Sequence, residues 1–234
     1  MTALVITGTG TEVGKTIVTA AIASLAAREG RRVAVVKPAQ TGLGAATESD
    51  VEIVARLADI DDVHGLARYP EPLAPATAAR RAGMVTLDVS EAGAAIHRLA
   101  DRDLVLVEGA GGVLVRLDDK GGTILDIARQ IDADVLVVAA AGLGTLNATA
   151  LTCRAIRDHR LRCLGVVVGA WPAEPDLAAS CNLEDLPSYA DAPLLGVLPE
   201  GMSRLAREEF ARVAAAHLRA DLGGDWQSYP SPPV

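Results

Sequence analysis

Aromatic residues are scarce in this sequence. Its 234 residues include one Phe, two Trp and three Tyr, although half of the chain is hydrophobic. The core must therefore be aliphatic. Runs of Val, Leu, Ile and Ala are what buried parallel strands need when helices cover both faces of a sheet.

Cysteine and histidine are also few, which limits the redox and metal chemistry. Cys153, Cys163 and Cys181 are odd in number and too far apart for a CxxC pair, so we expect reduced thiols in a reducing compartment. The four histidines are scattered and form no cluster with cysteine. We therefore expect neither a zinc nor an iron site.

Excess positive charge and long apolar runs are both missing. The formal net charge is -8, and no stretch supplies the basic face of a nucleic-acid-binding protein. The most apolar segment, residues 135–146, is shorter than the about 20 residues that span a bilayer. The N-terminal residues do not resemble a signal peptide. We expect a cytoplasmic protein that binds neither nucleic acid nor membrane.

Lysine is the rarest of the ionisable basic residues, with three copies against four histidines and 19 arginines. Only Lys15, Lys37 and Lys120 occur among 22 Lys and Arg residues, so most generic positive positions carry Arg. We expect a lysine that remains to serve as a compact ammonium charge. Lys15 and Lys37 fall near the ends of predicted strands, where ligands bind in parallel α/β sheets.

Short aliphatic runs alternate with helical patterns. The predicted strands are residues 3–7, 33–37, 104–108, 135–139, 164–168 and 194–198, and the predicted helices are residues 15–28, 50–59, 89–100, 124–131, 147–159 and 204–218. This alternation predicts an α/β fold with a mostly parallel sheet and helices on both faces. We expect one domain over residues 1–222, an ordered loop at 68–75, and a tail at 223–234 that is loose or docks on a partner subunit.

A phosphate-binding loop follows the first predicted strand. It reads Gly8-Thr9-Gly10-Thr11-Glu12-Val13-Gly14-Lys15-Thr16 and opens a helix. The glycines let backbone N–H groups surround a phosphate, and the helix N-terminus adds its dipole. Lys15 can reach the terminal phosphates and the Thr16 hydroxyl can bind Mg²⁺. The pattern predicts a three-layer P-loop NTPase fold that uses ATP and Mg²⁺, although five residues separate Gly8 from Gly14 where the general motif has four.

Charged residues follow later strands as well. For Lys37, we favour a site role over a solvated surface lysine. For Glu108, which precedes Gly109-Ala110-Gly111-Gly112, we favour a metal-holding role like that of a Walker B acid over a simple turn. Asp50 is adequately explained as a helix N-cap. Residues 142–147 are either an anion site at a helix N-terminus or merely the start of a capped helix.

Together these segments resemble the dethiobiotin synthetase family. Four segments occur in that family's order and spacing, up to about Pro199. They are the loop at 8–16, Lys37-Pro38 with Thr41-Gly42, the run from Glu108, and Leu143-Gly144-Thr145-Leu146-Asn147. The five-residue spacing in the loop is the family's own form. The resemblance implies that 7,8-diaminononanoate, CO₂ and ATP give dethiobiotin, ADP and phosphate. One amine captures CO₂ as a carbamate, ATP phosphorylates the carbamate, and the second amine closes a cyclic urea.

The resemblance also assigns roles to individual residues. The catalytic residues are Lys37 and Lys15, and the magnesium ligands are Thr16, Asp50 and Glu108. The nucleotide-binding residues are Glu12, Val13, Gly14, Lys15, Thr16, Ile17, Asp50, Glu108, Gly109, Ala110 and Gly111. The diamine and its carbamate are contacted by Thr11, Lys37 and Thr41. The substrate's carboxylate tail lies on Gly144, Thr145, Leu146 and Asn147 of a partner subunit, which implies a homodimer with sites at the interface.

One segment departs from the family pattern. Many members read the adenine with an Asn after the strand that corresponds to residues 164–168, where this chain has Gly169-Ala170-Trp171-Pro172. Only backbone groups near Gly169, Ala170, Val197, Leu198 and Pro199 are then expected to contact the base. We therefore expect weak selectivity for ATP over other nucleoside triphosphates.

Two other classes of protein share parts of this pattern. Related ATP-dependent amidoligases of the cobyrinate type usually carry a glutaminase domain with a nucleophilic Cys, for which this chain has no room. P-loop ATPase switches of the partition type place a second lysine five residues before the P-loop lysine, and Gly10 stands at that position here.

Overall fold

The computed structural model describes residues 2–43 and 48–227. The described strands are β1 Thr2–Gly8, β2 Val33–Thr41, β3 Val63–Tyr69, β4 Leu104–Gly112, β5 Asp134–Ala139, β6 Cys163–Trp171 and β7 Leu194–Pro199. They form one parallel sheet in the order β3-β2-β4-β1-β5-β6-β7. This arrangement confirms the predicted parallel sheet and places β1 at its centre.

Helices cover both faces of the sheet, as predicted. They are α1 Lys15–Arg28, α2 Asp50–Ala58, α3 Pro75–Arg81, α4 Val89–His97, α5 Ile124–Gln130, α6 Thr145–Asp158, α7 Leu177–Ala190 and α8 Arg207–His217. One apolar cluster joins one sheet face to α1, α2 and α8, and a second joins the other face to α3, α4, α5 and α6. Successive strand residues supply opposite clusters, since Leu4 and Ile6 lie in the first and Val5 in the second. The fold is therefore three-layered.

Three of these elements were missing from the sequence-based prediction. β3 is a partly exposed edge strand that contains His64, Gly65 and Arg68, so it lacks a continuous aliphatic run. α3 begins at Pro75, inside the predicted loop, and proline is well suited to the first position of a helix. α7 carries Pro187 in its interior, which obscures the helical pattern.

β2 and β4 continue beyond their predicted ends. Past Lys37, β2 pairs with β3 through Ala39↔Ala67 and Thr41↔Tyr69. Because β3 was not predicted, neither was this extension. Lys37 consequently lies inside β2, and Glu108 lies inside β4, rather than at the last position of each strand.

The C-terminal segment predicted to be loose is described only as far as residue 227. The backbone N–H groups of Gly224, Asp225 and Trp226 donate to carbonyl oxygens of residues 215–219. Residues 228–234 lie outside the described residues, so the prediction stays untested there. No helix in the described part of the chain is long and apolar enough to cross a membrane.

Candidate active site

The phosphate-binding loop turns from β1 into α1 at Gly14. This residue has a φ of 94°, and a Cβ at this position would lie 2.5 Å from the carbonyl oxygen of Gly169 in β6. Only glycine satisfies both the backbone angle and the close contact. Lys15 and Thr16 are the first two residues of α1, where unpaired N–H groups and the helix dipole favour an anion.

Lys15 folds back across this loop. Its Nζ donates to the carbonyl oxygen of Gly10 at 2.7 Å, and its side chain is buried. Burial lowers the pKa of Lys15 to about 8, and the neighbouring Lys37 ammonium adds to that effect, while the carboxylates of Glu108 and Asp50 oppose it. A buried ammonium of this kind gains from a bound anion, because the anion compensates its lost hydration.

Lys37 lies at the centre of a buried charged cluster. Its Nζ is 2.7 Å from Glu108 Oε1 and 2.6 Å from Asp50 Oδ2, and it donates to the Gly109 carbonyl oxygen at 3.0 Å. These three acceptors match the three donors of an ammonium group. Burial alone would lower the pKa of Lys37, but the Glu108 and Asp50 carboxylates outweigh it and raise that pKa above its ordinary value. Lys37 is therefore charged at neutral pH.

The same carboxylate connects this cluster to the phosphate-binding loop. Thr16 Oγ1 donates to Glu108 Oε1 at 2.8 Å, so one oxygen accepts hydrogen bonds from both Thr16 and Lys37. Glu108 is fully buried. β4 lies between β2 and β1 in the sheet, which explains how its Glu108 reaches a residue from each side.

Asp50 is not the N-cap of α2, so that structural explanation is wrong. The side chain of Ser49 accepts from the backbone of Glu52, and the Glu52 carboxylate accepts from the backbone of Ser49. This reciprocal capping box leaves the Asp50 carboxylate free to face Lys37. Gln40 Oε1 accepts the Asp50 N–H at 3.0 Å and ties the start of α2 to β2.

These groups surround a cavity of about 360 Å³ at the carboxyl edge of the sheet. Its lining residues are Thr11, Glu12, Gly14, Lys15, Thr16, Lys37, Ala39, Gln40, Thr41, Asp50, Glu108, Ala110 and Gly111. All of them except Ala39 and Gln40 were predicted as site residues. Ala39 and Gln40 belong to the part of β2 beyond Lys37, which the prediction omitted. Only the pairing of this part with β3 would have shown that the strand continues through them.

Known proteins resemble this chain closely. A family model described as an AAA domain matches residues 2–205. The chain is 61% identical to the ATP-dependent dethiobiotin synthetase BioD of Frankia casuarinae, covering 97% of this chain and 96% of that protein. The enzymes of the same name from Saccharopolyspora erythraea and Streptomyces avermitilis are 59% and 56% identical, over 97% of this chain and 99% and 96% of theirs. The chain belongs to the dethiobiotin synthetase family.

Solved structures with the same architecture are more distant from this member of the dethiobiotin synthetase family. The MinD cell division protein of Aquifex aeolicus has a TM-score of 0.58 at 15% identity, covering 99% of this chain and 100% of that one. The septum site-determining protein MinD of Pyrococcus horikoshii, complexed with Mg-ADP, has a TM-score of 0.59 at 18% identity, with coverages of 95% and 90%. At these identities the likeness concerns the fold alone, and it confirms the P-loop NTPase fold.

Other predicted nucleotide-binding residues of this dethiobiotin synthetase family member lie outside the cavity. Val13 packs in the core, Ile17 packs against it, and Gly109 meets the cluster through its carbonyl oxygen. The remaining five are Gly169, Ala170, Val197, Leu198 and Pro199, at the ends of β6 and β7. Val197 and Leu198 are buried as whole residues, backbone included. At Gly169 a Cβ would lie 2.2 Å from the Val13 carbonyl oxygen, so no side chain fits there.

The predicted tail-binding residues also lie away from the cavity of their own chain. α6 begins at Thr145, two residues earlier than predicted, with Gly144 as its N-cap. The Thr145 hydroxyl donates to the Ala140 carbonyl oxygen at 2.7 Å and is buried. Leu146 packs against an apolar cluster, whereas Asn147 is exposed. Within this dethiobiotin synthetase fold, these residues are accessible mainly through their backbone and through Asn147.

Proposed function

We propose that this chain is an ATP-dependent dethiobiotin synthetase, which converts 7,8-diaminononanoate, CO₂ and ATP to dethiobiotin, ADP and phosphate. The proposal rests on the meeting of Lys15, Thr16, Lys37, Asp50 and Glu108 in one cavity. These residues come from two strands and two helix starts of a chain whose close relatives carry this enzyme's name. Cavity chemistry and family membership support the same reaction.

The reaction concentrates negative charge, which accounts for the two lysines. One amine of the diamine attacks CO₂ and loses a proton to give a carbamate. A carbamate oxygen then attacks the terminal phosphorus of ATP and ADP departs. The second amine attacks the carbonyl carbon and loses a proton, phosphate leaves and the cyclic urea closes. Lys15 binds the terminal phosphates, and Lys37 neutralises charge where the carbamate meets the transferred phosphoryl group, so catalysis consists mainly of positioning and electrostatic stabilisation.

The oxygen donors beside Lys37 are suited to Mg²⁺. Thr16, Asp50 and Glu108 offer hydroxyl and carboxylate oxygens, and the two carboxylates already hold a cation, the Lys37 ammonium. Over residues 2–43 and 48–227, no group of three or more His, Cys, Asp or Glu side chains could hold a metal. Mg²⁺ commonly uses one or two carboxylates and takes its other ligands from phosphate and water. Bound here, it would neutralise phosphate charge.

The substrate's carboxylate tail is proposed to bind α6 of a second subunit in a homodimer. The first turn of α6 offers backbone N–H groups and the positive end of the helix dipole, which favour a carboxylate. The segment from Leu143 to Asn147 does not line the cavity of its own chain, and Leu143 is 91% exposed. A surface of this kind is accessible to a partner.

Phosphate release with and without the diamine tests this proposal. We expect release only when ATP, bicarbonate and 7,8-diaminononanoate are all present, with no effect of DNA or lipid vesicles. The fold likeness to MinD makes an ATPase switch the second candidate, although such switches carry a lysine where Gly10 stands. Release that ignores the diamine but rises with DNA or lipid would favour the switch and overturn the proposal.

A further inference from the structure

Two of the three cysteines lie against each other, outside the cavity of the proposed active site. Cys153 is in the second half of α6 and Cys163 is the first residue of β6, and their Sγ atoms are 3.7 Å apart. Both are free thiols. A disulfide has an S–S distance of about 2.05 Å, so a small approach of the two side chains would join them.

The two thiols are not equivalent. Cys153 is fully buried, whereas Cys163 is partly exposed. Hydrogen bonding with Cys153 lowers the pKa of Cys163; burial opposes this shift, and the positive charge of Arg157 assists it. The same hydrogen bond, together with burial, raises the pKa of Cys153. Cys163 is therefore the more exposed residue of the pair and the one whose thiol is more readily ionised, which are properties of a reactive thiol.

We propose that Cys153 and Cys163 form an oxidisable dithiol, which hydrogen peroxide converts to an intramolecular disulfide. The Cys163 thiolate attacks one peroxide oxygen, the O–O bond breaks, and the departing hydroxide takes up a proton to leave as water. Cys163 then carries a sulfenic acid. The Cys153 sulfur attacks the Cys163 sulfur, the S–O bond breaks, and the hydroxide leaves as a second water with the Cys153 proton. The two thiols have lost two electrons, and the peroxide has gained them.

This disulfide would connect α6 covalently to β6. α6 is the helix whose first turn is proposed to receive the substrate tail, so oxidation would fasten that helix to the sheet. Cys181, on α7, is exposed and lies outside the pair, which makes it a matched control thiol.

The test treats the full-length chain with hydrogen peroxide, alkylates remaining thiols under denaturing conditions, and maps the peptides. We expect two thiols to become protected, a peptide that links Cys153 to Cys163, and full reversal by dithiothreitol. Cys181→Ser should behave identically. In Cys153→Ala the reaction should stop at a Cys163 sulfenic acid, which dimedone captures, and Cys163→Ala should leave Cys153 unmodified.

Either of two results would overturn the proposal. One is oxidation confined to Cys181, seen as disulfide-linked chains that Cys181→Ser abolishes. The other is no linked peptide in the wild-type chain although Cys163 has been oxidised. The wild-type map decides the matter without the variants, so a variant that fails to fold does not affect the test.

Discussion

Lys37 is the residue on which the account of the active site depends most. Its side chain is 4% exposed and that of Glu108 is 2% exposed, so the pair is almost completely removed from water. A buried ion pair costs desolvation free energy, and removing one partner is worse than keeping both. The cluster is therefore expected to matter for folding as well as for chemistry.

Replacing this lysine tests both roles. Lys37→Gln should abolish turnover, because the carbamate loses its compensating charge. It should also destabilise the fold by about 3–5 kcal/mol, since Glu108 keeps a buried charge without its main partner. For a chain of this size the melting temperature should fall by roughly 6–20 °C. Circular dichroism during heating and steady-state kinetics measure the two effects.

Lys120→Gln is the matched control. Lys120 is 79% exposed and pairs with Asp88 at the surface, and exposed pairs contribute at most about 1 kcal/mol. It should change neither activity nor melting temperature appreciably. If Lys37→Gln melts at the same temperature as the control variant, charge compensation does not hold this cluster together.

Lys15 should behave differently from Lys37. Lys15→Ala should abolish turnover and weaken ATP binding, because the phosphates lose their main cation. The fold should persist. Lys15 is buried, and burial lowers its pKa, so its charge is disfavoured in the folded protein. The substitution removes that unfavourable charge and should not destabilise the fold. Titration calorimetry with ATP and an activity assay check this, and a tenth of wild-type activity in the variant would contradict the assigned role of the loop.

At the scale of elements, the hydrophobic pattern of the sequence predicted those strands and helices whose own residues determine them. β1, β5 and α1 are continuous aliphatic or Ala-rich runs, so their positions follow from sequence. β3 is stabilised by pairing with β2 rather than by its own composition, and could not be found this way. Its absence from the prediction also hid Gln40, whose bond to Asp50 positions α2.

The start of α6 carries the prediction for the substrate tail. Asn147→Asp should raise the KM for 7,8-diaminononanoate strongly, because a carboxylate would then face the substrate's carboxylate, and should leave the KM for ATP nearly unchanged. A negative charge in the first turn of a helix is favourable, so stability should not fall. Asn147→Ala is the uncharged control and should have the smaller effect. An equal rise in both KM values would argue against a tail-binding role.

The ends of β6 and β7 carry the prediction for nucleotide choice. Gly169 has no space for a side chain that could read the base. The side-chain amide of Asn182 in α7 does not replace the missing asparagine, because it already donates to the carbonyl oxygens of Ala141 and Gly142. With backbone contacts and apolar packing alone, discrimination is expected to be about 1–3 kcal/mol, or roughly 10–200-fold. At least one of CTP, GTP and UTP should therefore support turnover within about 200-fold of ATP.

The kcat/KM for all four triphosphates, at saturating diamine and bicarbonate, measures this preference. A preference for ATP of many thousandfold over every other nucleotide would mean that another group reads the base. The account of the missing asparagine would then be wrong.

At the scale of the whole molecule, the sheet order assembles the site. β2, β4 and β1 are neighbours, so Lys37, Glu108 and the phosphate-binding loop meet although Lys37 and Glu108 are 71 residues apart. Residue patterns alone do not specify strand order, and it was the family resemblance that joined these segments into one site. The hydrogen bonds that connect them were not predictable from sequence, because they depend on β2 extending past Lys37 and on Ser49, not Asp50, capping α2.

The central claim is that this cavity couples ATP cleavage to closure of a cyclic urea. The most direct test supplies ¹³C-bicarbonate, ATP and 7,8-diaminononanoate, and measures both released phosphate and labelled product by mass spectrometry. The account predicts one phosphate for each molecule of dethiobiotin, with the label in the urea carbon. Phosphate released without labelled dethiobiotin would contradict it.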